Sequence, residues 1–572
     1  MHAASTALIL LFITALCAPL SRVIRLPPPL LQIGLGVGAS MLGLQVRLDP
    51  AVFMLLFVPP LLFSDAFLMP MREFRQLHGV ILGLAIGLVL FATLGCGLFV
   101  HWLIPAVPLA ACFALAAVLS PTDPVAVGGM LEGRNVPQRF QHILSGEALL
   151  NDASGLVCFK FAAAAAMTGS FSILHAAGSF VLVSAGGLAT GAALALALAT
   201  FERWLLARGF DHAPTFVSLS ALLPFAAYLA AEHLETSGIL AAVAAGLTVR
   251  RGRVYGLMRT ETRLGATATW EMLTFTFNGM IFVLLGLQLP TIVAGGIALM
   301  HRVQVPVWHL PLAVVEVTLV LVLLRLIWVH GTVLVRGLLQ RGKAGAVSER
   351  GAGKASARLI LAMAVAGVRG AITLAAVLSL QEDFPARALL VTLAAGVILC
   401  SLLLATTTLP ALLRGIEKNS VDHVAVETDR ARLALARTAA AHVEAEAHQA
   451  DREHRQVLEA LLEEMRAKEQ RLHIALEDGP EEDRADKISA LRRQRLEAAL
   501  RLRMLRAERD SLADMNRGGT ISDDVERLLM RELDHQEEVV LATARSLPRE
   551  LAKTASRDGA RAGSGRRAKA TG

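Results

Sequence analysis

Long apolar blocks separated by short polar loops fill the chain up to about residue 415. A helix needs about 20 apolar residues to cross a bilayer, with a range of roughly 17–25. Blocks and breakers together predict helices over 6–24, 29–46, 51–69, 79–102, 109–131, 142–168, 172–201, 212–232, 236–249, 265–289, 308–338, 356–380 and 386–414. The second of these is short and Gly-rich. Beyond 415 the pattern changes to Ala, Leu, Glu and Arg with helical periodicity, predicting helices in water. A first break falls at Asp478-Gly479-Pro480, before the acidic start Glu481-Glu482-Asp483. A second falls at Asn516-Arg517-Gly518-Gly519, with Ser522 the expected N-cap of a helix through Val540. The fold class is therefore an all-α polytopic membrane protein with a helical tail. Its domains are a membrane domain over 1–415, a tail over 416–550 and a basic end over 551–572, expected to be disordered.

Charge sharpens this picture. Only 18% of residues are charged, against about a quarter in soluble proteins. With the N-terminus outside, the inner loops and their flanks carry nineteen Arg and Lys, and the outer ones only Arg47, Arg302 and Arg387. That asymmetry obeys the positive-inside rule loop by loop and places the tail in the cytoplasm. Thirteen spans divide as six, one and six, so the odd linker inverts the second set against the first. The net charge of +7 is thus explained by topology, and no nucleic-acid partner is expected. Met1 to Leu20 lacks a basic start and a small-x-small cleavage site, so it reads as a span and not a signal peptide. Cys17, Cys96, Cys112, Cys158 and Cys400 all lie in apolar blocks without CxxC spacing and read as packing residues.

Against this apolar background, a few polar residues carry the chemistry. A carboxylate in hydrocarbon costs roughly 3 kcal/mol on insertion scales and more on an isolated helix. Asp123 sits in Ser120-Pro121-Thr122-Asp123-Pro124, where the prolines prevent a regular helix. The freed carbonyls and the Thr122 hydroxyl become oxygen ligands, and Asp123 either caps a half helix or both caps it and lines a site. The equivalent fifth span of the second set holds Gly367-Val368-Arg369-Gly370. Interrupted helices at corresponding places of inverted halves point to a midplane binding site. Asp123 and Arg369 then offset opposing helix-end dipoles.

Asp152, beside Asn151, is the expected cation carrier. A buried carboxylate can hold either a proton or a cation, and loading with Na⁺ or H⁺ leaves the same charge. Asn151 adds hydrogen bonds without a second titrating acid. Glu147 lies roughly 140° around the helix from Asp152 and is expected to pair with Arg369. Arg325 needs a partner among Glu316, Glu271 and the site acids. Asp65 is a ligand, a proton-entry group or a loop-proximal charge, and Lys160 either snorkels to the interface or tunes Asp152.

Four motifs in chain order carry a resemblance: Pro59-Pro60-Leu61-Leu62-Phe63, Ser120 to Pro124, Gly146 to Asp152, and Gly367 to Gly370. Together they resemble the monovalent cation–proton antiporters, in the branch of bacterial NhaP-type and animal Na⁺/H⁺ exchangers. Ile521-Ser522-Asp523-Asp524 in the tail is similar to bacterial members. The resemblance implies a homodimer in the bacterial inner membrane, with a dimerisation domain and a six-helix core that moves as an elevator. It implies electroneutral exchange, because the family's Asn-Asp pair replaces the Asp-Asp of electrogenic relatives. By position, the ion carrier falls on Asp152, the unwound pair on Thr122 and Asp123, and the buried ion pair on Glu147 and Arg369. Two departures stand out: Ala148 where many members have Ser, and Ser64 where many have Glu, with Asp65 one place later.

Monovalent cations (Na⁺, Li⁺ or K⁺), protons and membrane lipid are thus the expected partners, with no cofactor. K⁺/H⁺ antiport is the alternative to Na⁺/H⁺ antiport. A cation channel or a non-transporting sensor using the tail fits the broken inverted helices less well. An intramembrane aspartyl protease would need a Gly-x-Gly-Asp setting that Asp152 lacks. The sequence holds no Gly-x-x-x-x-Gly-Lys motif, so ion gradients and not ATP are the expected energy source.

Overall fold

A computed structural model describes residues 2–24, 26–44, 50–69, 71–131, 136, 138–169, 173–210, 212–251, 260–302, 304, 306–340, 352–414, 423–449, 452–476, 481–518 and 520–545. Among them every regular element is helical. The chain divides into two compact units, Met1–Asn419 and Ser420–Gly572. The basic end 551–572 and many loop arginines counted for orientation, including Arg47, Arg134, Arg253 and Arg341, lie outside the described residues.

The first unit begins with α1 (His2–Ile24), α2 (Pro28–Met41) and α3 (Pro50–Leu68). Then α4 (Met71–Leu82) runs through a π-helical turn, Gly83–Leu88, into α5 (Val89–Leu103). A short pair follows, α6 (Leu109–Leu119) and α7 (Pro124–Leu131), then α8 (Gln138–Thr168), α9 (Ile173–Ala207), α10 (Ala213–His233) and α11 (Gly238–Arg251). The chain continues with α12 (Thr260–Arg302), α13 (His309–Gln340), a second short pair, α14 (Ala352–Val365) and α15 (Ala371–Leu378), and α16 (Arg387–Leu413). Among the described residues, eight helices are long and apolar enough to cross a membrane: α1, the α4–α5 run, α8, α9, α10, α12, α13 and α16. The remaining predicted blocks are helical too, but short or interrupted. The expected 29–46 helix stops at Met41, and Gly43 follows at φ 91°, a conformation that glycine adopts without strain.

Burial separates inner from outer helices. In α16, 67% of the apolar stretch is buried within the protein, against 17% in α9, so α16 is enclosed by the rest of the chain and α9 lies at its periphery. Nearly every residue from Ala111 to Leu119 of α6 is buried. The broken pairs therefore sit in the interior, among α3, α8 and α16, where no lipid meets their irregular backbone. That is the only setting in which such backbone is tolerated at membrane depth.

Small residues let these helices approach closely, as is general where lipid offers no hydrophobic drive for association. On α9, a Cβ added to Gly191 would overlap the Ala241 carbonyl of α11. On α2 and α12, Gly36 and Gly286 face one another; a Cβ on Gly36 would lie 2.9 Å from the Gly286 Cα.

The second unit consists of α17 (His423–Gln449), α18 (Arg452–Leu476), α19 (Glu481–Arg517) and α20 (Asp523–Arg545). Arg437–Glu469 at 2.8 Å and Arg466–Glu444 at 3.0 Å tie α17 to α18 in antiparallel fashion. Arg509 of α19 binds Asp534 at 2.5 Å and also Glu537 of α20. The Arg466–Glu444 pair is exposed and Arg437–Glu469 partly so, whereas Arg509 and Glu537 are half-buried; exposed pairs of this kind add little to stability. The division between α17 and α18 was not legible in the sequence, where Gln449-Ala450-Asp451-Arg452 holds neither Gly nor Pro. The expected break at Asp478-Gly479-Pro480 lies outside the described residues, between the end of α18 and the start of α19. The break after Arg517 precedes α20, which runs on past Val540 to Arg545, and Ser522 Oγ accepts the Val525 N–H at 3.4 Å as an N-cap.

Gly191→Val is expected to lower the thermal unfolding midpoint in detergent, because overpacking of this kind costs about 1–3 kcal/mol. An unchanged midpoint would mean that α9 and α11 do not meet at Gly191.

Candidate functional site

The two short pairs are broken helices, and the breaks cross. Pro121 and Pro124 interrupt the first between Leu119 and Pro124; Gly367 and Gly370 flank the second between Val365 and Ala371. At the crossing the Asp123 N–H donates to the Val368 carbonyl at 2.8 Å. Asp123 also caps α7, its Oδ1 accepting the Ala126 N–H at 3.2 Å. Gly370 lies so close to Asp123 that a Cβ there would be 2.7 Å from the Asp123 Cγ. No other residue leaves that space open.

Arg369 serves the opposite helix end. Its Nη1 donates to the carbonyls of Ser120 at 2.7 Å and Pro121 at 2.9 Å, at the C-terminus of α6. These carbonyls have lost their helical partners, and the guanidinium opposes the negative end of the α6 dipole. The Arg369 backbone N–H donates to Ser401 Oγ of α16 at 3.1 Å, and the Thr373 hydroxyl donates to the Val118 carbonyl at 3.0 Å.

The expected pair between Glu147 and Arg369 is not formed. Glu147, 1% exposed, is held instead by Arg325, 2% exposed. Arg325 Nη2 donates to Oε2 at 2.7 Å and Nη1 donates to Oε1, a bidentate contact. Arg325 Nε donates to the Met363 carbonyl at 2.8 Å, in the last turn of α14. Each arginine thus covers one severed helix end, and only Arg325 has Glu147 within reach. A planar fork matches a carboxylate in this way where Lys would not.

Around the crossing lies a cleft of about 430 Å³, counted to its open mouth. Its lining includes Asp65 of α3, Pro121 to Pro124, Asp152 of α8, Asn278 of α12, and Gly370, Ile372 and Thr373. Three carboxylates therefore share one space. Ionised together they repel, and a cation among them relieves that repulsion. Asn151 Nδ2 donates to the Thr122 hydroxyl at 2.9 Å, and Thr122 donates onward to Glu147 Oε1 at 3.4 Å. Asn151 Oδ1 is buried and has no protein partner.

A sodium/hydrogen exchanger transmembrane family model matches residues 9–415, which include every residue of this cleft. The chain belongs to that family. Among similar proteins, an uncharacterized Na⁺/H⁺ exchanger of Escherichia coli, YjcE, is 39% identical over 94% of this chain and 98% of its own length. A sodium, potassium, lithium and rubidium/H⁺ antiporter of Bacillus subtilis is 40% identical over 71% of this chain, which spans 60% of that protein. In fold, the chain is similar to the sodium proton antiporter MjNhaP1 of Methanocaldococcus jannaschii. The TM-score is 0.52 at 16% identity, covering 72% of this chain and 99% of that one.

In this exchanger, Asp152, Asp123, Thr122 and Asp65 come together at the cleft, with Asn151 one bond behind Thr122. Asp65 is therefore a wall of the site and not a loop charge. Lys160 does not join them: it reaches Glu232 of α10 at 3.4 Å and is 58% exposed. Sequence reasoning missed Asn278 and Thr373. Asn278-Gly279 is a polar interruption of the apolar block 265–289, a signal that was there to be read. Thr373 carries none, since threonine is ordinary in a helix that bonds its hydroxyl to a carbonyl.

Arg325→Ala strands the Glu147 carboxylate and is expected to cost about 3–5 kcal/mol, read as lost thermal stability of the purified protein. Adding Glu147→Ala should return part of that loss. Additive losses in the double variant would mean that the two residues are not coupled.

Proposed function

We propose that this exchanger is a secondary active antiporter that trades an alkali cation for a proton at Asp152. The observation that carries the reading is the cleft at the helix crossing, where Asp152, Asp123 and Asp65 stand with the Thr122 to Pro124 segment. Asp152 is the carrier because it sits on an unbroken helix, 8% exposed, and takes no part in capping. Thr122 and Asp123 are fixed by the crossing and supply oxygens at a set place. Asn151 steadies Thr122, and Asp65 closes the cleft from α3.

Proton and cation compete for one carboxylate, so a cycle that loads either leaves the same charge on Asp152. Exchange is then one for one and electroneutral. The thirteen helical blocks form two inverted six-helix sets joined by one span, with the N-terminus outside and the tail in the cytoplasm, in the bacterial inner membrane. The breaks at corresponding places in the two sets put the site near the midplane, where alternating access by an elevator motion of a six-helix core exposes it to either side. A homodimer supplies the fixed frame for that motion.

Na⁺ is the first candidate substrate. A wider alkali range, including K⁺, is supported by the likeness to the Bacillus subtilis antiporter, whose name includes potassium and rubidium. The test is cation-driven pH change in proteoliposomes with Li⁺, Na⁺, K⁺ or Rb⁺. Wild type should respond, and Asp152→Asn should abolish the response. Undiminished flux in Asp152→Asn would remove Asp152 as carrier. Competition also fixes the sign of the pH effect: the apparent KM for the cation should rise as pH falls, with the maximal rate less affected. A KM independent of pH would rule out a shared site.

A further inference from the structure

The cleft has three acidic residues and few neutral oxygens free to choose among ions. Charge alone draws any alkali cation; the number and field strength of neutral dipoles around it help decide which one stays. Two hydroxyls at the cleft are fixed by hydrogen bonds, so each offers an oxygen lone pair only at a set place. Thr373 donates to the Val118 carbonyl, and Thr122 is held between Asn151 and Glu147. Neither network includes Asn278, whose half-buried side chain lines the same cleft.

The rotation of α12 accounts for this placement. Gly279 faces α1 and α2 so closely that an added Cβ would overlap Thr14 and come within 2.9 Å of the Gln32 Nε2. Gly286 repeats the contact with α2, against Ile33 and Gly36. Residues seven apart share a helix face, so these two glycines key α12 against its neighbours. Asn278, one step and about 100° around the helix from Gly279, is thereby turned toward the cleft on which the carboxylates stand. The amide is carried by a helix that also carries Trp270, packed on Phe63 of α3 with ring centroids 4.8 Å apart. Asn278 thus belongs to a wall held by packing, not to a loop that adjusts to whatever enters.

We propose that Asn278 is a specificity-determining residue of the antiporter: its amide oxygen supplies a neutral ligand to the cation held at Asp152 and so sets the order of preference among alkali ions. The inference rests on the antiport reading, with Asp152 as carrier, and adds to it the group that discriminates. An amide oxygen carries a strong dipole without a titrating proton, so it acts on the cation half of the cycle and leaves the proton half to the carboxylate.

The test uses full-length protein in proteoliposomes, with pH change driven by Li⁺, Na⁺, K⁺ and Rb⁺ in turn. Asn278→Ala removes the oxygen, and Asn278→Gln keeps the chemistry but moves it outward by one methylene. In Asn278→Ala the apparent KM for the preferred cation is expected to rise about tenfold, the size of one good polar contact. The maximal rate should change far less, and the ion ranking should alter. Asn278→Gln should keep transport while reordering the four ions, which preserves the test if the alanine variant does not fold. KM values and ranking equal to wild type in a folded variant would overturn the proposal. So would a loss of thermal stability with the ranking intact, since that is what a merely structural residue gives. Cation-driven flux that persists in Asp152→Asn would instead defeat the carrier assignment, and absence of flux in wild type would defeat both.

Discussion

Two severed helices meeting inside the protein impose the constraint on which the rest depends. Each break leaves carbonyls at one end and N–H groups at the other without helical partners, and no bulk water or lipid can satisfy them there. Arg369 on the Ser120 and Pro121 carbonyls, and Asp123 on the Ala126 N–H, supply what the backbone lost. The same substitutions place opposite charges at opposite dipole ends. The broken segments are therefore held in place by the charges that the breaks made necessary.

Charge balance follows from this arrangement. Four carboxylates, Asp65, Asp123, Glu147 and Asp152, share this region with two guanidiniums among the described residues, Arg325 and Arg369. Glu147 is matched by Arg325 in a bidentate contact, and Arg369 stands at the crossing with Asp123. The acids at Asp65 and Asp152 lack a guanidinium of their own. A site with surplus negative charge takes up protons or cations, and the cleft offers room for them. Glu147 has a different role from the site acids although it lies on the same helix as Asp152. It ties α8 to α13, and through Thr122 and Asn151 it touches the site only at second hand.

The apolar helical blocks, the two breaks and the buried acids that line the cleft were legible in the chain. Hydropathy marks the blocks because lipid demands long apolar stretches. Pro121, Pro124, Gly367 and Gly370 mark the breaks because backbone chemistry forbids or relaxes the helix at those residues. Asp152 and Asp123 were legible because ionisable groups are rare in such stretches. In the tail, Gly-Pro and Gly-Gly marked two breaks, while the division between α17 and α18 passed unseen for want of any breaker.

Pairing across space was not legible. Glu147 has two buried arginines to choose from, 178 residues away in the case of Arg325, and neither periodicity nor composition ranks them. The choice is made by the tertiary placement of α13, whose Arg325 reaches Glu147 of α8, and of the α14–α15 break, which sets Arg369 on the carbonyls at the end of α6. Asn278 tells the same story: its polarity could be seen in the chain, but its direction depends on the glycines that key α12 against α1 and α2. By itself the sequence determined which segments form apolar helices, where they must break and which acids stand inside them, because each follows from local chemistry. Only the tertiary structure decided which charge meets which and what faces the cleft, because those depend on the rotation and approach of helices far apart in the chain.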